Sequence, residues 1–493
     1  MSIVKLKYIL LLSLPFLTSG CKSFLEEAVY TEYDPNGFLK DESGIDALLT
    51  GAYARSRIIA YDHRNYVYLM NEFNTDIAFE TGGGLEADAA PFIQFNWAVN
   101  NSILNSFWQK MYQAIASANS VLVLSGQLTG LDPDKSNRIQ AEARFIRASS
   151  YYFLYNLFGP TPLIDIPSDA TPEEIEEIGK NTPRATHEEF VSYLVADFEF
   201  AAQYLPLEEN PIGRATKGAA WGYLTKLYLK EKNWEKVLEV SQSIIDSKAY
   251  ELYADYTNLF NVNGETNREF IFRAPCLPQS GYHNNYMAHA FPPNYPILTN
   301  QVNFGAQFRT YSAFYKTFEA EDKRRELLIR SYTDNTGNTI ELLEGGSGKA
   351  LDDVRSFKYW PDPNAVGEAM GNDIVYIRYA DILLSRAEAI NELSGPTQEC
   401  IDLINAVRQR ANASLLALAD YPTQASLRDF LLAERGREFY SEGLRREDLI
   451  RHGKFINSGR ERRYPAEDYQ VLYPIPLQQI DANPNLEQNE GYH

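Results

Sequence analysis

A chain of 493 residues with 44% hydrophobic and 23% charged side chains has the material for a large core and is too apolar to stay disordered. Its formal net charge of −20 repels a phosphate backbone, which makes nucleic acid a poor partner. Of three cysteines, Cys21, Cys276 and Cys400, the last two cannot make a disulfide scaffold; they could form one bridge in an oxidising compartment but read rather as two free, buried thiols. Tyrosine is abundant at 33 residues, beside 26 Phe and 5 Trp, more than a core alone asks for; it is also the residue that lines wet binding surfaces.

At the start of the chain, Lys5 and Lys7 precede the apolar run Tyr8–Leu17, which is too short to span a bilayer, and Thr18, Ser19 and Gly20 are small. That layout predicts a signal peptide over 1–20. Cys21 follows directly, where a lipoprotein signal places the thiol that is lipidated and becomes the new N-terminus; acyl chains there would supply the anchor. Residues 21–40 then read as the lipidated N-terminus and a polar tether. Residues 41–493 read as one domain in three parts: helical and repeat-rich over 41–249, irregular and loop-rich over 250–371, helical again over 372–493. After the signal, no apolar stretch approaches the length of a transmembrane helix.

From Glu42 onward most of the sequence has helical spacing. In RIQAEARFIRASSYYFLYNLFGP, Ile139, Ala143, Ile146, Ser150, Phe153 and Leu157 share a face, and Gly159-Pro160 ends the helix. Thr186 and Glu189 form a capping box ahead of the next apolar stripe. Two stretches read as helix–turn–helix pairs. The first, Ala215–Asp246, sets Ala220, Tyr223, Leu224 and Leu227 against Trp234, Val237, Leu238 and Ile244 across a polar turn at Lys230–Asn233. The second, Tyr376–Ala411, turns at Gly395-Pro396. Units of about 34 residues with this plan look like tetratricopeptide repeats, which must stack to bury their faces. Between the pairs, Tyr250–Gly371 lacks helical periodicity for much of its length. It contains an Asn-, Pro-, Tyr- and His-rich run, hairpin chemistry in TDNTGNTIEL and a glycine-rich loop, LEGGSGKALDD. A second irregular stretch, TDIAFETGGGLEADAAPFIQFNW, covers Thr75–Trp97. Long irregular segments inside a compact domain are usually functional.

The sequence holds no catalytic constellation. Its six histidines are scattered, with no HExxH, no paired-cysteine zinc spacing and no G-x-S-x-G elbow. Gly345–Lys349 (GGSGK) lacks both the first glycine and the Ser/Thr of a phosphate loop and reads as a linker. No cofactor or metal is indicated, and the chain reads as non-enzymatic. In LAERGREFYSEGLRREDLIRHGKF, Glu434, Arg435, Arg437, Glu438, Glu442, Arg445, Asp448 and Arg451 alternate in sign at three- and four-residue spacing. That suits intrahelical pairs and inter-helix forks, a structural network rather than a catalytic site.

That charged run, followed by YPIPLQQIDANPNLEQNEGY, resembles the SusD/RagB family of Bacteroidetes outer-membrane lipoproteins. So do RYADILLSRAEAINE, LINAVRQRA, EARFIRASSYYFLYNLFGPTPLI, FEAEDKRR and CKSFLEE, which occur in the family's order from residue 21 to 493. The resemblance implies a mainly α, SusD-like fold with tetratricopeptide-like helix pairs as scaffold, long irregular loops and a few short strands. It implies binding of nutrient oligosaccharides or polysaccharides at the outer membrane, on the extracellular side, and delivery to a SusC-like TonB-dependent transporter. Two other readings remain open: the peptide-binding component of a peptide importer in the same family, or a repeat scaffold that binds proteins. In the family the sugar site comes from loop aromatics and polar residues before the third or so helix and from the mid-chain segment. By position this points to Asp76, Asn96 and Trp97 in the first stretch and to Tyr282, Asn284, Tyr286 and Trp360 in the second. Aromatic rings stack on the C–H faces of sugars, while Asn and Asp hold hydroxyls.

Overall fold

The computed structural model describes residues 41–57, 66–128, 130–167, 169–208, 211–305, 307–342 and 353–492. The signal peptide, Cys21, the tether and the GGSGK loop lie outside the described residues.

Helix boundaries follow side-chain chemistry. Asp41 caps α1 (Glu42–Ser56) by accepting from the Gly44 amide. After α2 (Tyr66–Asn71) and α3 (Glu86–Ile93), Asn101 caps α4 (Ser102–Gln127). Asp132 and Pro133 start α5 (Pro133–Phe158), and Gly159, at φ 76°, ends it as the sequence predicts. Capping boxes open α6 (Pro172–Asn181, from Thr171 and Glu174) and α7 (His187–Tyr204, from Thr186 and Glu189). The predicted pairs are α8 (Lys217–Lys230) with α9 (Trp234–Ser247), and, beyond the short α10 (Tyr286–Ala290), α11 (Tyr379–Ser394) with α12 (Gln398–Arg410). The C-terminal part adds α13 (Gln424–Phe439), α14 (Arg445–Arg451), α15 (Phe455–Glu461) and α16 (Leu477–Ala482). Packing runs in series, α1 on α4, α4 on α5, α5 on α7, α7 on α8, α8 on α9, α9 on α11, and α11 on both α12 and α13. Each pair thus buries its apolar face on the next, the logic of a stacked array.

The strands form four antiparallel pairs. They are β1 (Ala78–Glu80) with β3 (Phe308–Thr310), β2 (Phe270–Ala274) with β8 (Ile374–Arg378), β4 (Leu328–Ile329) with β7 (Arg355–Ser356), and β5 (Ser331–Thr333) with β6 (Thr339–Glu341). The last is the predicted hairpin, turning through Gly337 at φ 87°. Two expectations are corrected. Tyr376–Arg378 is strand, not the start of a helix, because Val375 and Ile377 pair with β2 and Arg378 stays extended. Thr75–Trp97 is not irregular throughout: α3 buries Ala89, Phe92 and Ile93 on one face, a pattern hidden by Gly82–Gly84 before it and Pro91 within it.

One continuous apolar core reaches from Ile45 to Tyr492, and a second cluster is centred on α11, α12 and α13. Much of the tyrosine sits there rather than on a binding surface. Tyr151, Tyr256, Tyr440 and Tyr473 are essentially without exposure. The Tyr151 hydroxyl accepts from the Ile164 amide, while those of Tyr256, Tyr440 and Tyr473 donate to the Glu438, Arg324 and Met70 carbonyls. These rings fill volume and satisfy backbone at once. Cys276 and Cys400 are both buried.

Candidate functional site

Two regions concentrate polar or aromatic side chains. The first is the charged C-terminal run. Glu438 sits among Arg324, Arg378 and Arg410; Glu434 joins Arg324, Arg408 and Arg437; and Glu442 holds Arg378 and Lys358. A neighbouring set links Arg435 to Asp381 and Asp448, and Arg451 to Glu388 and Asp448. All of these groups are buried or nearly so. Burial alone would raise the Glu434 carboxyl, but Arg324, Arg437 and Arg408 outweigh it and hold the pKa at about 2. Asp448 is held at about 2 in the same way by Arg435 and Arg451. Acids held ionised by bonded arginines have no proton to exchange near neutrality, so this is a structural network, as the spacing predicts.

The second region is where the mid-chain loops converge. Residues 277–305 and 360–372 are stapled to each other by short hydrogen bonds. Asn284 and Met370 exchange backbone bonds at 3.0 Å, and the Asn284 side chain donates to the Asn372 carbonyl at 3.2 Å. The Gly367 amide donates to the Asn300 carbonyl at 2.6 Å, Val302 donates back to the Gly367 carbonyl at 3.1 Å, and Gln301 Nε2 reaches the Asp362 carbonyl at 2.8 Å. The Asp362 carboxylate ties its own loop by accepting from the Asn364 and Gly371 amides. On this frame stand Leu277, Tyr282, Leu298, Phe304, Trp360 and Val366, all among the exposed large hydrophobic side chains, with Tyr282 at 54% and Trp360 at 41%. Trp360 is braced from behind by the Phe357 ring (6.0 Å) and by the Asn372 amide on its carbonyl. Exposed aromatic and apolar side chains on pinned loops mark an interaction face.

The positional picks divide accordingly. Tyr282 and Trp360 are on this face. Asn284, 1% exposed, is a loop staple, and Tyr286, 3% exposed, opens α10 with its hydroxyl paired to Ser441; neither can reach a ligand without rearrangement. Trp97 is core: its indole donates to the Tyr492 hydroxyl at 2.7 Å and its ring packs on Phe95 and Tyr473. Asn96 is exposed beside it. Asp76 is clamped by Arg445 through two 2.8 Å bonds, which lower its pKa against the effect of burial. The first stretch does meet the second, through β1–β3 and through Gln307, whose carbonyl accepts from Thr81 and whose amide donates to Gly82. Sequence reasoning missed Leu277, Leu298, Phe304 and Val366. The only available signal was apolar residues scattered in a polar, Asn- and Pro-rich run.

Comparisons with known proteins agree with this architecture. Residues 247–492 match the SusD family, and residues 23–229 match a family described as "Starch-binding associating with outer membrane". The chain belongs to the SusD family, whose members associate with the outer membrane. Among the curated relatives, SusD-like protein P2 of Formosa agariphila is 28% identical, covering 96% of this chain and 97% of its own. The starch-binding protein SusD of Bacteroides thetaiotaomicron is 27% identical over 74% and 75%. A solved laminarin-binding SusD-like protein superposes with a TM-score of 0.77 at 23% identity, covering 92% of this chain and 100% of that one. The fold is therefore SusD-like and mainly α. No described helix is long and apolar enough to cross a membrane.

Proposed function

We propose that this protein is a non-enzymatic, lipid-anchored glycan receptor on the outer face of the outer membrane, passing oligosaccharides to a SusC-like TonB-dependent transporter. The observation that carries the reading is the loop face: Tyr282 and Trp360 stand exposed on loops whose backbones are bonded to each other. An aromatic ring held still in water is suited to the apolar C–H face of a sugar, and a pinned loop loses little freedom on binding. The face carries few charges, which favours neutral glycans over uronic or sulfated ones. The names of the starch- and laminarin-binding relatives point the same way. Lipidation of Cys21 would hold the body near the transporter mouth and raise their effective concentration.

The test is affinity electrophoresis through gels containing starch or laminarin. Retardation of the wild-type chain by a neutral glycan, lost in Tyr282→Ala and Trp360→Ala, supports the reading. Retardation by neither glycan, together with capture of peptides, would favour the peptide importer. Recovery of a transporter in equal copy number from mild detergent, and loss of membrane retention in Cys21→Ala, test delivery and anchoring separately.

A further inference from the structure

Away from the loop face, a partly open pocket of about 130 Å³ lies where α8 meets α11, α13 and α14. Its walls include Lys226, Lys230, Arg435, Arg446, Glu447 and Arg451. In a chain of net charge −20, a basic interior needs a reason. Most of its neighbouring carboxylates are already taken. Asp381 and Asp448, also in the wall, are bonded by Arg435, Asp381 through Oδ1 alone with its Oδ2 unbonded, and Glu388 and Asp448 are bonded by Arg451. Glu447 accepts from the Tyr152 hydroxyl and the Asn156 amide, leaving Lys226 a loose approach at 3.6 Å, with Asp381 at 3.8 Å.

Lys230 and Arg446 have no carboxylate in ion-pair contact among the described residues. Lys230 is partly buried; its ammonium lies over the Tyr155 ring at 4.7 Å, and desolvation there pushes its pKa down to about 8. Arg446 is fully buried, gives its two terminal nitrogens to the Asn156 and Val471 carbonyls, and leaves Nε without a partner. Lys226 is 7% exposed. Buried charge without a counter-charge is costly, and buried cations are normally paired. The space far exceeds the roughly 10–15 Å³ one water needs.

We propose that this cavity is a binding site for one small tetrahedral oxyanion of the phosphate or sulfate class, held by Lys226, Lys230 and Arg446. Such an ion offers mainly acceptors to the Lys226, Lys230 and Arg446 donors that line the pocket, and it supplies the negative charge that Lys230 and Arg446 lack, which water does not. Bound there, it would join the first predicted helix pair, through Lys226 and Lys230 of α8, to the C-terminal helices, through Arg446 of α14.

Isothermal titration and thermal unfolding of the full chain with inorganic phosphate, sulfate, chloride at matched ionic strength, and glucose 6-phosphate test the site. Saturable binding of phosphate or sulfate at one per chain is expected, with a rise in Tm that chloride does not give. Lys230→Met keeps the stem against Tyr155 and removes the charge. It should unfold at or above the wild-type temperature without the ion, yet bind phosphate at least tenfold more weakly. Lys236→Met, on the exposed surface of α9, should bind as wild type. Absence of saturable binding by both oxyanions, or an undiminished response in Lys230→Met, overturns the proposal. Preference for glucose 6-phosphate over the free ions overturns it too, since the site would then recognise more than the oxyanion.

Discussion

The C-terminal charge network and the mid-chain loop face are both dense in residues that bind ligands elsewhere, yet they are opposites. In the network, charged groups such as Glu438 and Arg378 are 0–1% exposed and every charge is answered by another. On the loop face, asparagines and backbone groups satisfy one another, and the aromatic rings stay in water. A polar group whose bonds are all made within the chain is architecture. What remains for a partner is the apolar surface that the polar groups lift into view.

The difference can be broken in stages, from large to small effects on the fold. Glu438→Ala takes one carboxylate from each of Arg324, Arg378 and Arg410, leaving Glu434 and Asp322, Glu269 and Glu442 to balance three buried arginines. A loss of about 3–5 kcal/mol is expected, because each uncompensated buried charge is expensive; urea unfolding measures it. Trp97→Ala should cost about 3–4 kcal/mol through the void left against Tyr473 and Phe95. Any loss of glycan binding should then track unfolding rather than precede it. If Trp97→Ala instead abolishes binding at unchanged Tm, the core assignment is wrong.

A smaller effect is expected at Glu80, which is 3% exposed with both carboxylate oxygens unbonded. Burial, and then the charge of Glu86, push its pKa from the ordinary 4.5 up to about 8. Between those values the folded chain holds a proton that the unfolded chain has lost, so this group's contribution to stability falls as pH rises from 4.5 to 8. Glu80→Gln should match the wild type at pH 4 and exceed it at pH 8 by about 1–2 °C in Tm, the scale of a kilocalorie or so in a large domain. Least of all, Trp360→Ala should change stability by under about 0.5 kcal/mol, as exposed substitutions do, while weakening glycan binding at least tenfold. A large fall in Tm there would make the ring a structural wedge.

The helical scaffold was legible because its signals are local: the Thr186–Glu189 box, the Gly159 stop and the apolar stripes at 3.6-residue spacing all act within a few turns. The charge network was legible in part for the same reason: Glu434–Arg437 and Asp448–Arg451 pair at three-residue spacing, whereas Arg324, Arg378 and Arg410 reach Glu438 from far along the chain. The loop face was only half legible. Whether a tryptophan is buried depends on what arrives from far along the chain, and Trp97 is covered by Tyr473 and Tyr492 while Trp360 is covered by neither. Asn284 looked like a sugar-binding residue because the sequence gives no sign of Met370 or Asn372 waiting as its partners. β1 and β8 were missed because each pairs with a strand distant in sequence.

Those last contacts bear on how the molecule comes into being. The tail threads back to the beginning: Tyr492 takes the Trp97 indole, Asn74 donates to Tyr473 at 2.7 Å, and the Tyr473 amide reaches the Leu157 carbonyl. A polypeptide emerging in order therefore leaves its early core open until its final segment arrives. Long-range closure of this kind is slow and leaves sticky apolar surface waiting in the meantime. The helix pairs can form as they emerge, but the molecule is sealed only when its last two dozen residues dock. Maturation of this protein is thus governed by residues 473–492, and their loss would first open the early core around Asn74, Trp97 and Leu157.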